Sequence, residues 1–135
     1  MTNEGVSVKL LLMGLVLLMT AGGASAEWTP VGSSEQFTQY VDKATIRRNG
    51  NFVKMWNLKD FKTVQKGASY SFLSSKAHEE YDCKEVKSRL LAFTWFDGQM
   101  GNEKVVFSNS DSGKWEPIEP GSIGESLWKI ACGKK

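Results

Sequence analysis

The sequence predicts an α+β domain: a single antiparallel sheet of about five to six strands with a short C-terminal helix packed on it. Three observations carry that expectation. An Asn-Gly pair stands between two runs rich in β-branched and aromatic residues, a strong short-range hairpin signal. Between residues 70 and 108, apolar side chains recur at every second position in segments separated by turn-forming composition. Near the C-terminus the period changes to that of a helix with one apolar stripe.

Taken in order, residues 36–41 read as a first strand, with Phe37, Gln39 and Val41 on one face and Thr38 and Tyr40 on the other. Residues 44–48 and 51–58 then form a hairpin around Asn49-Gly50, which supplies the positive φ angles of a type I′ turn. That turn sets Arg48 opposite Asn51, Arg47 opposite Phe52, Ile46 opposite Val53 and Thr45 opposite Lys54, so Ala44, Ile46, Val53 and Met55 share a face. Residues 62–69, with Gln65-Lys66-Gly67, read as a connection. The next strand, residues 70–84, has Leu73, Ala77, Tyr81 and Cys83 in phase, although Ala77-His78-Glu79-Glu80 also suits a helical turn. Lys84-Glu85 turns into residues 86–96, where Leu91, Phe93 and Trp95 alternate. Residues 97–102 are a turn by composition, and residues 104–108 form a further strand through Val105, Val106 and Phe107. Residues 109–121 are irregular.

The C-terminal helix has the clearest boundaries. Ser122-Ile123-Gly124-Glu125 matches a capping box, in which the Ser hydroxyl accepts from the Glu125 N–H and the Glu side chain reaches back. Ile123, Leu127, Ile130 and Ala131 form the apolar stripe. Gly133 stands where a helix C-terminus favours positive φ, and Lys134-Lys135 suits the negative end of the dipole.

Residues 1–26 read as a cleavable export signal. Lys9 precedes the apolar run Leu10 to Met19, which is too short for a transmembrane helix of about 20 residues. Ala24-Ser25-Ala26 offers the small residues of a peptidase site, placing cleavage between Ala26 and Glu27. No Cys follows the apolar core, so lipid attachment is not indicated, and no membrane span is expected after cleavage. One domain, residues 27–135, remains. It holds all five Trp, seven Phe and three Tyr, enough large apolar surface for one core. Both Cys lie in it, and in an oxidising compartment two Cys allow one intramolecular pairing, Cys83 with Cys132. That bond staples the helix to the strand holding Cys83.

Candidate chemistry is sparse. A formal charge of +2 argues against a dedicated nucleic-acid binder, which concentrates a basic field. His78 is the single histidine and the one candidate general base, but no nucleophile and orienting acid accompany it. Asp97, Glu103, Asp111, Glu116 and Glu119 lack the spacing of a calcium loop or a carboxylate pair. Gly98-Gln99-Met100-Gly101 lacks the context of a phosphate loop. No catalytic residue, metal site or cofactor is assigned. The best binding feature is the basic-aromatic hairpin Arg47, Arg48, Lys54, Trp56 and Lys59, with Lys62 nearby. Arg and Trp are favoured interface anchors, while the competing reading makes Trp56 core and the basic residues an ordinary soluble face. Trp115, in an irregular segment, reads as a hydrophobic plug under a loop.

Several segments together resemble the surface-adhesin protein E family: Tyr40-Val41-Asp42, Thr45-Ile46-Arg47-Arg48-Asn49-Gly50, Val53-Lys54-Met55-Trp56 and Asp60-Phe61-Lys62-Thr63. Glu80-Tyr81-Asp82-Cys83, Met100-Gly101, Pro120-Gly121-Ser122-Ile123-Gly124-Glu125 and Ala131-Cys132-Gly133-Lys134 follow in matching order. The resemblance implies an antiparallel sheet with a helix packed on it and, for some members, surface display and adhesion to host extracellular-matrix and serum proteins. The expectation is therefore an exported, non-enzymatic binding protein of the periplasm or outer surface. Its partner would be a protein or acidic polymer, and a homodimer is open. A soluble periplasmic inhibitor or accessory protein of an envelope enzyme is the alternative.

Overall fold

A computed structural model describes residues 26–135, so the expected leader up to Ser25 lies outside the described residues. Seven strands form one antiparallel sheet: β1 (Thr29–Ser33), β2 (Phe37–Asn49), β3 (Phe52–Lys66), β4 (Ser71–Asp82), β5 (Lys87–Phe96), β6 (Val105–Asn109) and β7 (Glu116–Pro117). Spatial order follows chain order from β1 to β6, while β7 pairs with the start of β5. One helix, α1 (Ile123–Cys132), follows. The expected α+β class is observed. The strand ends differ: Phe37–Asn49 is one continuous strand, β3 continues to Lys66, and β1 was not anticipated. Pro30 and Gly32 argue against an interior strand, but an edge position tolerates both.

The hairpin register is also corrected. Asn49 pairs with Phe52, Arg48 with Val53 and Arg47 with Lys54, so the two-residue loop is Gly50-Asn51 rather than Asn49-Gly50. Among these residues Gly50 takes positive φ (64°) while Asn51 does not. That sign pattern belongs to a type II′ turn, which needs Gly at the first central position. Because the slip is two residues, Val53 and Met55 keep their inward face; a slip of one would have exposed both.

Bulges make the second correction. In β2, residues 43–46 oppose Met55 alone. Asp42 Oδ1 accepts from the Ala44 N–H (3.1 Å), and Thr45 Oγ1 donates to Asp42 O (2.6 Å) and accepts from the Trp56 N–H (3.0 Å). Ala44 is therefore exposed, and Ile46 packs on the core from the bulge rather than opposite Val53. In β5, His78 pairs with Ala92 but Glu79 with Leu90, which leaves Leu91 as the extra residue. Such insertions flip the alternation beyond them, so Leu90 rather than Leu91 joins the face of Phe93 and Trp95.

The helix begins and ends as its sequence predicts. Ser122 Oγ accepts from the Glu125 N–H (3.1 Å), although the Glu125 carboxylate reaches back to the Gly121 N–H (3.3 Å) instead of that of Ser122. Gly133 adopts the left-handed conformation at the C-terminus. Leu127, Ala131 and Cys132 pack against Val41, Val53, Met55 and Tyr81 to form the core on one end of one sheet face. Cys83 and Cys132 are bonded across a separation of 49 residues. Trp128 Nε1 donates to Asp82 O (2.9 Å), a second tie between the helix and the end of β4. On the opposite face the β5–β6 loop folds over β3 and β4. There Ser74 Oγ donates to Gly98 O (2.6 Å) and the Met100 N–H donates to Asp60 Oδ1 (2.7 Å).

Candidate functional site

Alternation divides the predicted hairpin set between the two faces of the sheet. Arg47, Lys54 and Trp56 occupy the face away from α1. Arg48 and Lys59 lie on the helix side, where Arg48 Nη2 donates to Cys132 O (3.2 Å) and Lys59 Nζ sits 4.9 Å from the centre of the Phe37 ring. Arg48 thus satisfies a carbonyl at the end of α1 and complements the helix dipole.

On the outer face, strand register assembles a row that the chain order conceals. Arg47 pairs with Lys54, Lys54 with Glu80 and Glu80 with Arg89, four charged residues from four adjacent strands. Arg47 Nη1 donates to Ala44 O and Ile46 O (2.9 Å each), so the β2 bulge holds that guanidinium in place. Arg89 donates to Glu80 Oε1 from Nε (2.9 Å) and Nη2 (2.8 Å), and its guanidinium lies 4.8 Å from the Trp115 ring centre. Trp115 packs against Phe52, which is 41% exposed. The result is a face with three basic residues, one of them neutralised by Glu80, beside an exposed aromatic ring. Arg and aromatic side chains are enriched in protein interfaces because they combine rigid area with directional donors.

The next row pairs Trp56 with His78, whose rings stack at 4.6 Å with 5° between their planes. Trp56 is half-buried, between the two sequence-based readings of it. Burial lowers the His78 pKa below its ordinary 6.5, the Lys54 charge lowers it further, and Glu80 opposes both. The unfolded chain therefore binds the His78 proton at a higher pH than the folded chain does. The neutral ring contributes stability in full above about pH 6.5, and that contribution falls as pH drops towards the lower folded pKa. An NMR titration is expected to give a His78 midpoint below 6.5. A smaller loss of melting temperature in His78→Phe than in the parent between about pH 7.5 and about pH 5 tests the same linkage. A midpoint at or above 6.5 would contradict it.

Sequence reading did not join Arg89 and His78 to the hairpin, because their contribution rests on pairing between distant segments; Phe52 was placed in the hairpin but not in the binding set. Trp115, expected as a plug under a loop, is half-buried against the Phe52 ring and the Arg89 guanidinium. Among the described residues no three His, Cys, Asp or Glu side chains group as metal ligands, and no helix is long and apolar enough to cross a membrane.

Comparison with known proteins matches residues 28–133 to the surface-adhesin protein E family model. Two crystal structures of Haemophilus influenzae protein E share the fold. Crystal form II superposes with a TM-score of 0.58 at 10% identity, covering 82% of this chain and 97% of that one. The selenomethionine form gives a TM-score of 0.57 at 10% identity, covering 82% and 95%. No curated protein matches by sequence.

Proposed function

From the premise that the chain belongs to the surface-adhesin protein E family, we propose that it is an exported, non-enzymatic binding protein that uses its outer sheet face to hold a host matrix or serum protein. The observation that carries this reading is the Arg47–Lys54–Glu80–Arg89 row beside exposed Phe52. Such a face complements an acidic protein surface, with the aromatic ring supplying desolvated area and the basic groups steering approach. Export follows from the leader reading, with Glu27 as the first residue after cleavage.

Purified residues 27–135 are expected to capture proteins from immobilised matrix and serum fractions. The combined Arg47→Ala and Lys54→Ala variant is expected to bind about tenfold more weakly or worse, the scale of losing about 1.4 kcal/mol or more at the interface. Arg48 is excluded from that test because its loss would uncap α1 and mix stability with binding. Capture unchanged in the double variant would remove this face from the reading. Protein found only in the periplasm on fractionation would replace surface adhesion with the soluble accessory role.

A further inference from the structure

Helix α1 covers only one end of its sheet face. Beyond it a cleft of about 410 Å³ runs along the strands, walled by Phe37, Phe93, Trp95 and Leu90 from the sheet and by Ile123 and Leu127 from the helix. Its β4 lining positions run from Ser75 to Tyr81, about 20 Å of extended strand. This trough is separate from the outer face of Arg47, Lys54 and Trp56.

A polar relay crosses the cleft among these apolar walls. Gln39 Nε2 donates to Asn57 Oδ1 (3.1 Å), and Asn57 Nδ2 donates to Glu79 Oε2 (2.7 Å). Tyr81 Oη donates to the same carboxylate oxygen (2.9 Å). Tyr81 is 1% exposed, and burial first, then the Glu79 charge, holds its pKa well above 10, so it remains a donor. The amide orientations are set: Gln39 Nε2 also donates to Tyr40 O (3.3 Å) and Leu58 O (3.1 Å), where an oxygen would face only acceptors.

The relay is left incomplete at both ends. Gln39 is fully buried, and its Oε1 has no donor among the described residues. At the other end both donors converge on Glu79 Oε2, and no cation pairs with Glu79 among the described residues. Lys59 does not supply one. It pairs with Ser75, four residues along β4 from Glu79, about 13 Å, and its ammonium lies over Phe37. Glu79 is half-buried and has only neutral partners, so a bound cation would add a charge-assisted hydrogen bond to the carboxylate.

We propose that this cleft binds an extended peptide segment bearing a large apolar side chain beside a Lys or Arg. The apolar side chain would lie on Trp95 and Phe93 beside Leu127, and the cationic head would meet the open side of Glu79. A peptide suits the trough better than an alkyl ammonium, because the lining includes the hydroxyls of Ser75 and Ser88, which match a polar backbone rather than an alkyl chain.

Calorimetric titration of residues 27–135 with the acetylated, amidated peptide Gly-Leu-Trp-Lys-Gly tests this assignment. Saturable binding is expected, with about tenfold loss or more when Lys is exchanged for Glu in the peptide and in the protein variant Glu79→Gln. Gln at that position still accepts from Asn57 and Tyr81, so the change removes charge and preserves the relay. The same titration of the unmodified chain followed by NMR is expected to shift the indole N–H resonance of Trp95 and leave that of Trp56 in place, a readout that survives if the variant fails to fold. Binding is expected to persist in the Arg47→Ala and Lys54→Ala variant, so failure here and failure of matrix capture are distinguishable. No saturable binding, equal binding of the Glu peptide, unchanged affinity in a folded Glu79→Gln, or binding of dodecylammonium without the peptide would each overturn the proposal.

Discussion

Replacing Cys83 and Cys132 together by Ala is expected to lower the free energy of unfolding by about 4 kcal/mol, the chain-entropy value for a closed loop of this length. The bond joins residues 49 apart in sequence and connects the final turn of α1 to the end of β4. Without it, the unfolded chain regains the freedom of that loop, while the helix keeps its packing through Leu127 and Ala131, the Trp128 hydrogen bond and the Arg48 contact. Ala leaves no hydroxyl at the buried Cys132 position. For a domain whose stability is about 5–15 kcal/mol, the loss is a large share of the total. Urea unfolding of the parent, the reduced parent and the double variant measures it directly. Agreement between the latter two would tie the loss to the bond rather than to the substituted side chains. A difference below about 1 kcal/mol would show that the helix is held almost entirely by packing.

Met55→Ala is expected to cost about 2–5 kcal/mol, the range for emptying a fully buried site of this size. Met55 is 0% exposed on β3, the strand between β2 and β4, and belongs to the cluster formed by Val41, Val53, Tyr81 and Leu127. Four residues of the β2 bulge stand opposite it, so its loss removes material from beneath an already irregular backbone. Met55→Leu keeps most of the volume and is expected to cost less than about 1.5 kcal/mol. Lys54→Ala, one residue away on the exposed face, is expected to stay within about 0.5 kcal/mol of the parent. Denaturant midpoints for the three variants check the assignment of faces as well as the size of the effect. Similar losses for Met55→Ala and Lys54→Ala would contradict the alternation on which the outer face rests.

The helix was legible because its determinants are local. Ser122, the apolar stripe and Gly133 act within a few residues of one another, and only the Glu125 contact chose a different N–H. The disulfide was legible because two cysteines allow one partner choice. The hairpin was recognised, but its register was not, since Asn49, Gly50 and Asn51 offer overlapping turn chemistry and the pairing of both long strands selects among them. The bulge residue Leu91 was unreadable for a related reason: an extra residue is defined only by the strand opposite it.

The binding residues show the same division. Alternation alone separates Arg47 and Lys54 from Arg48 and Lys59, but bringing Arg89 and His78 to the first pair requires β4 and β5. The cleft drew no attention in sequence because Gln39, Asn57, Glu79 and Tyr81 come from three strands and form no linear pattern. Periodic elements, helix boundaries and the cysteine partner follow from interactions within a few residues or from a choice with one answer. The register, the bulges and the joining of side chains into the outer row and the inner relay emerge only when the strands assemble. Those depend on which distant backbones pair, and the best collective burial selects that pairing rather than the local preference of any one segment.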